Sequence, residues 1–215
     1  MRIVFSHKGF DSASGGGPSP IVAGCPVTLP IPAGEGLSHT TYGAVGLGGH
    51  AARASRGRLG AESLRHHDPM FCDNGEALLG QCGAAQTHLA NQGVVAGDVF
   101  LFFGLFREEG SKPHHRLFGY LWVEEVLPLA TMDPTRKAEL VALGFPHALA
   151  LHAGNGNDTL YCGRGGQASR ASDALRLTEE GASPTNWRVP EWLADVGQRE
   201  DALRWVAAIV AEIER

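Results

Sequence analysis

Lys8 and Asp11 follow directly on a short apolar run, Ile3-Val4-Phe5, in a stretch that also carries Ser6, Ser12, Gly15, Gly16, Gly17 and Ser19. Strand ends on a rigid scaffold are where reactive groups are commonly presented. Glycines let backbone N–H groups approach an anion, and a lysine adds a point charge, so Gly15, Gly16 and Ser19 could cradle a phosphate beside Lys8. A desolvated lysine can also act as a base or nucleophile. No GxxxxGK[ST] pattern is present, so this is not a Walker loop. The ordinary structural explanation is a glycine-rich turn with a solvated Lys8–Asp11 ion pair.

Three further groups have chemical potential. In Arg65-His66-His67-Asp68-Pro69 a histidine beside an aspartate could be a base with its orienter, or simply part of a turn. The run Gly80-Gln81-Cys82-Gly83-Ala84-Ala85-Gln86-Thr87-His88-Leu89-Ala90-Asn91-Gln92-Gly93 reads as a polar helix. Its uncharged amides and imidazole suit the edge of a base, but buried amides also serve structure, and His88 could be a satisfied core histidine. Arg53, Arg56, Arg58 and Arg65, with His50, His66 and His67, give a local charge of +3 against Glu62, fit for phosphates or merely solvated. No HExxH, no CxxC and no His pair at i, i+4 occurs, so the spacing implies no metal, and the sequence identifies no cofactor.

The elements that must position these groups are short. The chain has 215 residues with 29 glycines and 12 prolines, which predicts shaped loops rather than a helical bundle. Its 43% hydrophobic content suits one globular domain over 1–215 with a real core. Lys plus Arg is 18 and Asp plus Glu is 23, a net charge of −5, which excludes a strongly basic nucleic-acid coat. No apolar run approaches the ~18 residues of a membrane span. With Cys25, Cys72, Cys82 and Cys162 far apart, the chain reads as a cytoplasmic protein with reduced thiols.

Ile3-Val4-Phe5 predicts a buried first strand, and Val27 to Pro32 an edge strand. The glycine-rich residues 33–60 predict a mobile surface segment with a short helix around Ala51 to Arg56. One helical turn is expected at Ala61–Leu64, and a helix over Ala84–Asn91. Asp98–Gly104 and Leu117–Val123 are two strong strands joined by a loop over Glu108–Arg116. The second is apolar on both faces and so central. Helices are expected over Pro134–Leu143 and Asp201–Ile213, the latter amphipathic. Shorter strands are expected at Ala148–Leu151, Thr159–Tyr161 and Leu175–Thr178, with a turn at Gly154–Asn157. His147 and His152 flank the first of these, and Trp187, Trp192 and Trp205 read as core anchors for the C-terminal segment. Strands and helices do not alternate regularly, which favours α+β with a mixed or antiparallel sheet.

Five stretches resemble the nucleotide modification-associated domain family, third type. They are Ser6–Ser12 with Gly15-Gly16 and Pro18-Ser19-Pro20-Ile21, then Leu29-Pro30-Ile31-Pro32, His67-Asp68-Pro69, Gly80–Gly93 with Gly97–Gly104, and Phe118-Gly119-Tyr120-Leu121. Fainter echoes are Pro146-His147-Ala148, Asn157–Tyr161, and Trp187 with Pro190. The chain departs from the family at His7, in place of arginine, and at Phe145, in place of the first histidine of a His-Pro-His run. The resemblance implies a nucleotide or DNA-base context, with nucleotide or DNA and other DNA-modification enzymes as partners, and supplies no reaction. The hairpin Gly97–Phe103 and Phe118–Glu124 also looks like the middle strands of PUA-like β-barrels, which bind RNA or modified DNA bases.

The residues together point to an enzyme acting on a nucleobase or nucleotide. Lys8 would be its base or phosphate contact and Asp11 its acid/base or orienter, with His67 and Asp68 completing proton transfer. Ser6, Gln81, Gln86, Thr87, His88, Asn91, Gln92 and His147 would hold the substrate, and Gly15, Gly16 and Ser19 its phosphate. A base in duplex DNA would have to be flipped out. A non-catalytic reader on a PUA-like barrel, or a toxin-like protein attacking nucleotides, are the alternatives. The enzyme reading requires the N-terminal loop and the Gly80 stretch to converge on one polar hollow.

Overall fold

The computed structural model describes residues 1–149, 156–190 and 199–215. In chain order its strands and α-helices are β1 (Ile3–His7), β2 (Ser19–Val22), β3 (Cys25–Pro26), α1 (Gly48–Ser55), β4 (Met70–Phe71), β5 (Glu76–Gln81), α2 (Gly83–Asn91), β6 (Val99–Glu108), β7 (His114–Pro128), α3 (Pro134–Ala142), β8 (Thr159–Gln167) and α4 (Arg199–Ile213).

The strands form one mixed sheet in the order β3-β2-β6-β7-β8-β5-β4, and β1 also pairs with β6. The architecture is α+β, a curled half-barrel with helices against it. The curl is visible in one contact. Phe71 on β4 and Phe102 on β6 stand four strand spacings apart in the order, about 19 Å if the sheet were flat. Their rings are 5.9 Å apart. Among the described strands the path still ends at β3 on one side and β4 on the other, so the curl is not a closed barrel.

The aromatic run of β6 sets the layers. Phe100, Phe102 and Phe106 face the concave side with Phe118, Tyr161, Ala77 and Leu79. Val99 and Leu101 face the convex side, where Tyr120 and the α4 residues Val206, Ile209 and Ile213 cover them. Both faces of β6 and β7 are buried, as expected for central strands. α3 is started by Asp133, whose carboxylate accepts from the Thr135 and Arg136 backbone N–H groups, with Pro134 at the first turn.

One detail positions everything that follows. β1 and β2 both run parallel to β6, β1 along Val99–Phe103 and β2 along Phe106–Glu108. The intervening loop leaves the sheet at Lys8, whose backbone N–H donates to the Phe103 carbonyl over 2.8 Å. Gly104 permits this approach, since a Cβ there would lie 2.7 Å from the Lys8 carbonyl oxygen.

Several expected elements differ. The hairpin strands are longer than their apolar cores, because backbone pairing continues to Glu108 and from His114. Val27–Pro32 forms no strand; Pro30 and Pro32 lack the N–H that pairing needs, and only a bridge from Pro32 to Arg65 remains. Ala61–Leu64 is turn and bridge rather than helix, with Leu64 paired to Thr41. The 33–60 segment is no loose surface stretch: Tyr42 and Ala51 pack with Phe10 and Leu29 in a small core of their own. Around Leu175 a 3-10 turn stands where a strand was expected, with single bridges at Arg176 and Thr178. Pro146–Ala148 is likewise a 3-10 turn. Ala150, Leu151, His152, Gly154, Asn155 and Trp192 lie outside the described residues. Trp187 and Trp205 do pack, both against Phe5. Among the described residues no helix is long and apolar enough to cross a membrane.

Candidate functional site

The loop after β1, the loop before β4 and the end of β5 meet at one buried ion pair. Lys8 Nζ donates to Asp68 Oδ2 over 2.8 Å, and the two side chains are only 14% and 3% exposed. The other carboxylate oxygen, Oδ1, accepts from the Gly80 backbone N–H, also at 2.8 Å. Burial acts to raise the Asp68 pKa, but Lys8, His147 and His66 outweigh it and hold the carboxyl below its ordinary range. Asp68 is therefore an anion at neutral pH, anchored on both oxygens. The Lys8–Asp11 pair anticipated from sequence does not form, because Asp11 Oδ1 is taken by the Ala13 and Ser14 backbone N–H groups.

A second pair adjoins the first. His147 Nδ1 and Asp158 Oδ1 are 2.8 Å apart, both side chains buried. The ring lies directly on Gly80, where a Cβ would come within 2.1 Å of its Cδ2. The glycine is thus the space the imidazole occupies. The His66 ring stands nearly perpendicular to His147, with centroids 5.1 Å apart. Cys82, at the N-terminal cap of α2, completes the floor. Burial first, then the Asp158 and Asp68 carboxylates, push its thiol pKa up.

These groups open into a cleft of about 410 Å³ lined by His7, Lys8, Asp11, His66, Asp68, Gln81, Cys82 and His147, among others. His7 Nδ1 lies 3.7 Å from Asp11 Oδ2 at the rim. Burial lowers the His7 pKa, Asp11 opposes this, and Lys8 adds to the lowering. The ring is consequently neutral near pH 7 and can accept a proton.

A neighbouring cleft of about 740 Å³ shares His7, Gln81 and Ala85 with the first and adds Arg2, Ser6, His88 and Gln92. Both lie within the size range of small-molecule sites. Lys8 and His88 therefore face adjoining spaces, with Gln81 and His7 on the border. His67 turns to a third cleft, of about 410 Å³, beyond the ion pair and beside Arg65 and Phe71. Burial, then Arg65, lower its pKa to about 4 against the pull of Asp68.

The remaining sequence candidates have structural partners. Gln86 is buried, and its Oε1 accepts from the Tyr161 hydroxyl. Thr87 Oγ1 donates to the Gly83 carbonyl and accepts from Asn157 Nδ2. Asn91 is exposed at the far end of α2, and His88 is exposed rather than a core histidine. Ser19 Oγ is buried and accepts from the Leu29 backbone N–H. Gly15 packs on the Phe10 ring and Gly16 against the Arg58 guanidinium, so neither adjoins Lys8's cleft. The basic cluster also divides: Arg65 is buried and points to His67, while Arg53 pairs with His50.

Sequence reasoning gave no site role to His7, Cys82 and Asp158, and gave His66 only a place beside His67 and in the basic cluster. Each sat inside a stretch already noticed, but His66 and Cys82 both meet His147 from more than fifty residues away.

A family described as nucleotide modification associated domain 3 has a model that matches residues 2–210, and the chain belongs to that family. No curated protein and no solved structure matches it. Membership ties the chain to nucleotide modification and to nucleotide-related partners.

Proposed function

We propose, with that membership as premise, that this chain is an enzyme that modifies a nucleobase or nucleotide bound in the cleft between the N-terminal loop and the Gly80–Ala85 segment. The observation that carries the reading is the Lys8–Asp68 pair: a buried, doubly anchored carboxylate holding a cation at the wall of a polar cleft. Burying such a pair is costly for stability alone, which favours a functional reason for it.

In this reading Lys8 contacts a phosphate or base oxygen, and Asp68 fixes the ammonium in place. His7 accepts a proton from the substrate, oriented by Asp11 across the rim. Gln81, on the border of the two clefts, offers both a donor and an acceptor to a base edge. The larger cleft, with Arg2, Ser6, His88 and Gln92, takes the sugar–phosphate portion. A base drawn from duplex DNA would enter by flipping. Glycines 15 and 16 and Ser19 shape the loop, and Gln86, Thr87 and Asn157 hold α2 against β8.

Titration of mononucleotides into the ¹⁵N-labelled protein tests this. Shifts should centre on His7, Lys8, Gln81 and Cys82, and Lys8→Ala should weaken binding roughly 10–100-fold, the range for a lost charge-assisted hydrogen bond. Shifts confined to other surfaces would contradict it. Tight binding of a modified base with no chemical change under any condition would favour a reader instead.

A further inference from the structure

Two residues that line the cleft, Cys82 and His147, meet Asp158, and the three come from separate segments. Cys82 Sγ, a ring nitrogen of His147 and a carboxylate oxygen of Asp158 all lie within 4.8 Å of one another. Asp158 is 2% exposed and gives Oδ1 to His147, while its Oδ2 is buried with no hydrogen-bond partner. A buried carboxylate oxygen left unpaired is costly and asks for a positively charged complement.

We propose that Cys82, His147 and Asp158 form a site for one divalent transition-metal ion of the zinc class, with a further coordination position open to the cleft. Thiolate, imidazole and carboxylate are the three ligand types zinc takes, and three protein ligands with one open position is the pattern of reactive zinc sites. Cys82 stands at the N-cap position of α2, where its side chain makes no capping hydrogen bond. On binding, the Sγ–H bond breaks, an Sγ–metal bond forms and the proton leaves to solvent; no electrons are transferred. Ligand atoms about 2.0–2.3 Å from one ion stand some 3.3–3.8 Å apart, so donors that lie within 4.8 Å of one another need close by no more than about 1.5 Å. Cys82, half-buried at the cleft, can supply that by rotating its side chain.

A second grouping, His66, Asp68 and His147, is equally close in space. It is the weaker candidate because both Asp68 oxygens already accept hydrogen bonds and the Lys8 ammonium beside them repels a cation. The ion site concerns the same cleft but not the identity of its substrate, so its failure leaves the nucleotide reading standing.

The test is titration of the purified full chain with Zn²⁺ and Co²⁺, read by metal content after dialysis and by the thiolate-to-Co²⁺ charge-transfer absorption. One equivalent should bind, and Zn²⁺ should protect one thiol from a chromogenic disulfide reagent. Cys82→Ser should abolish the charge-transfer band, and Asp158→Asn should weaken binding about tenfold or more, whereas Cys25→Ser changes neither. Should Asp158→Asn fail to fold, Cys82→Ser and thiol protection in the unmutated protein still decide. No stoichiometric binding, or binding indifferent to Cys82→Ser, would overturn the proposal; the latter would move the ion to the His66 grouping.

Discussion

Lys8 and Asp68, sixty residues apart in sequence, meet at 2.8 Å with the Asp68 carboxylate almost wholly buried. The contact closes the loop after β1 onto the segment before β4, so it is both a structural clamp and the charged wall of the cleft. Truncating one partner strands the other's charge out of water. Lys8→Met should therefore cost about 3–5 kcal/mol in urea denaturation, while the double variant Lys8→Met/Asp68→Asn should cost clearly less than the two single losses summed. Additive losses would mean that the pair is not coupled.

Acid should loosen the fold in two steps. His67 and His114 are both held at about 4, each chiefly by burial and then by a neighbouring arginine, Arg65 and Arg116 respectively. An unfolded histidine titrates near 6.5. Between pH 6.5 and about 4 the unfolded chain takes up protons that the fold refuses, so stability falls across that window and levels below it. Asp68, held low, adds its own loss only below the ordinary carboxylate range of about 4. Thermal midpoints against pH should show the first slope flattened in a His67→Gln/His114→Gln variant.

Gly80→Ala tests the seating of His147. Its new methyl would overlap the imidazole, so the ring must leave or the strand must shift. The expected cost is about 1–3 kcal/mol, and metal or nucleotide binding should fall more steeply than stability does. An unaltered cleft, judged by unchanged binding, would show that the contact yields easily.

Gln81 and Gln86 face opposite ways and should separate accordingly. Gln86→Leu strands the Tyr161 hydroxyl in the core and should lower stability by about 1–3 kcal/mol, with ligand affinity kept. Gln81→Ala should leave the melting temperature nearly unchanged and weaken nucleotide binding.

What could be read in advance follows from range of interaction. The aromatic runs Phe100–Phe103 and Phe118–Trp122 declare central strands, because burial on both faces needs nothing but the run itself. α3 announces itself through Asp133 and Pro134, a cap and first turn that are purely local. Lys8, Asp68 and His147 stood out as residue types, but their geometry did not, since it depends on loops threading the curl of the sheet. Asp11 sits three residues from Lys8, yet local backbone N–H groups claim its carboxylate first. Helical spacing already sets Gln86 on a different face from His88 and Asn91, but only packing against β8 decides that the Gln86 face turns inward and leaves Asn91 in solvent. Cys82, His147 and Asp158 share no spacing rule at all, because three separate segments deliver them.

The central claim is that the cleft beside Lys8 modifies a nucleobase or nucleotide. Nucleoside mass spectrometry addresses it most directly, using DNA and a nucleotide pool incubated with the protein and the small-molecule fraction of a bacterial lysate. A nucleoside of new mass should appear with the unmutated chain and fall about 10²-fold or more with His7→Ala, the usual loss on removing a general base. No new mass with any substrate, or one formed equally well by His7→Ala and Lys8→Ala, would contradict the account.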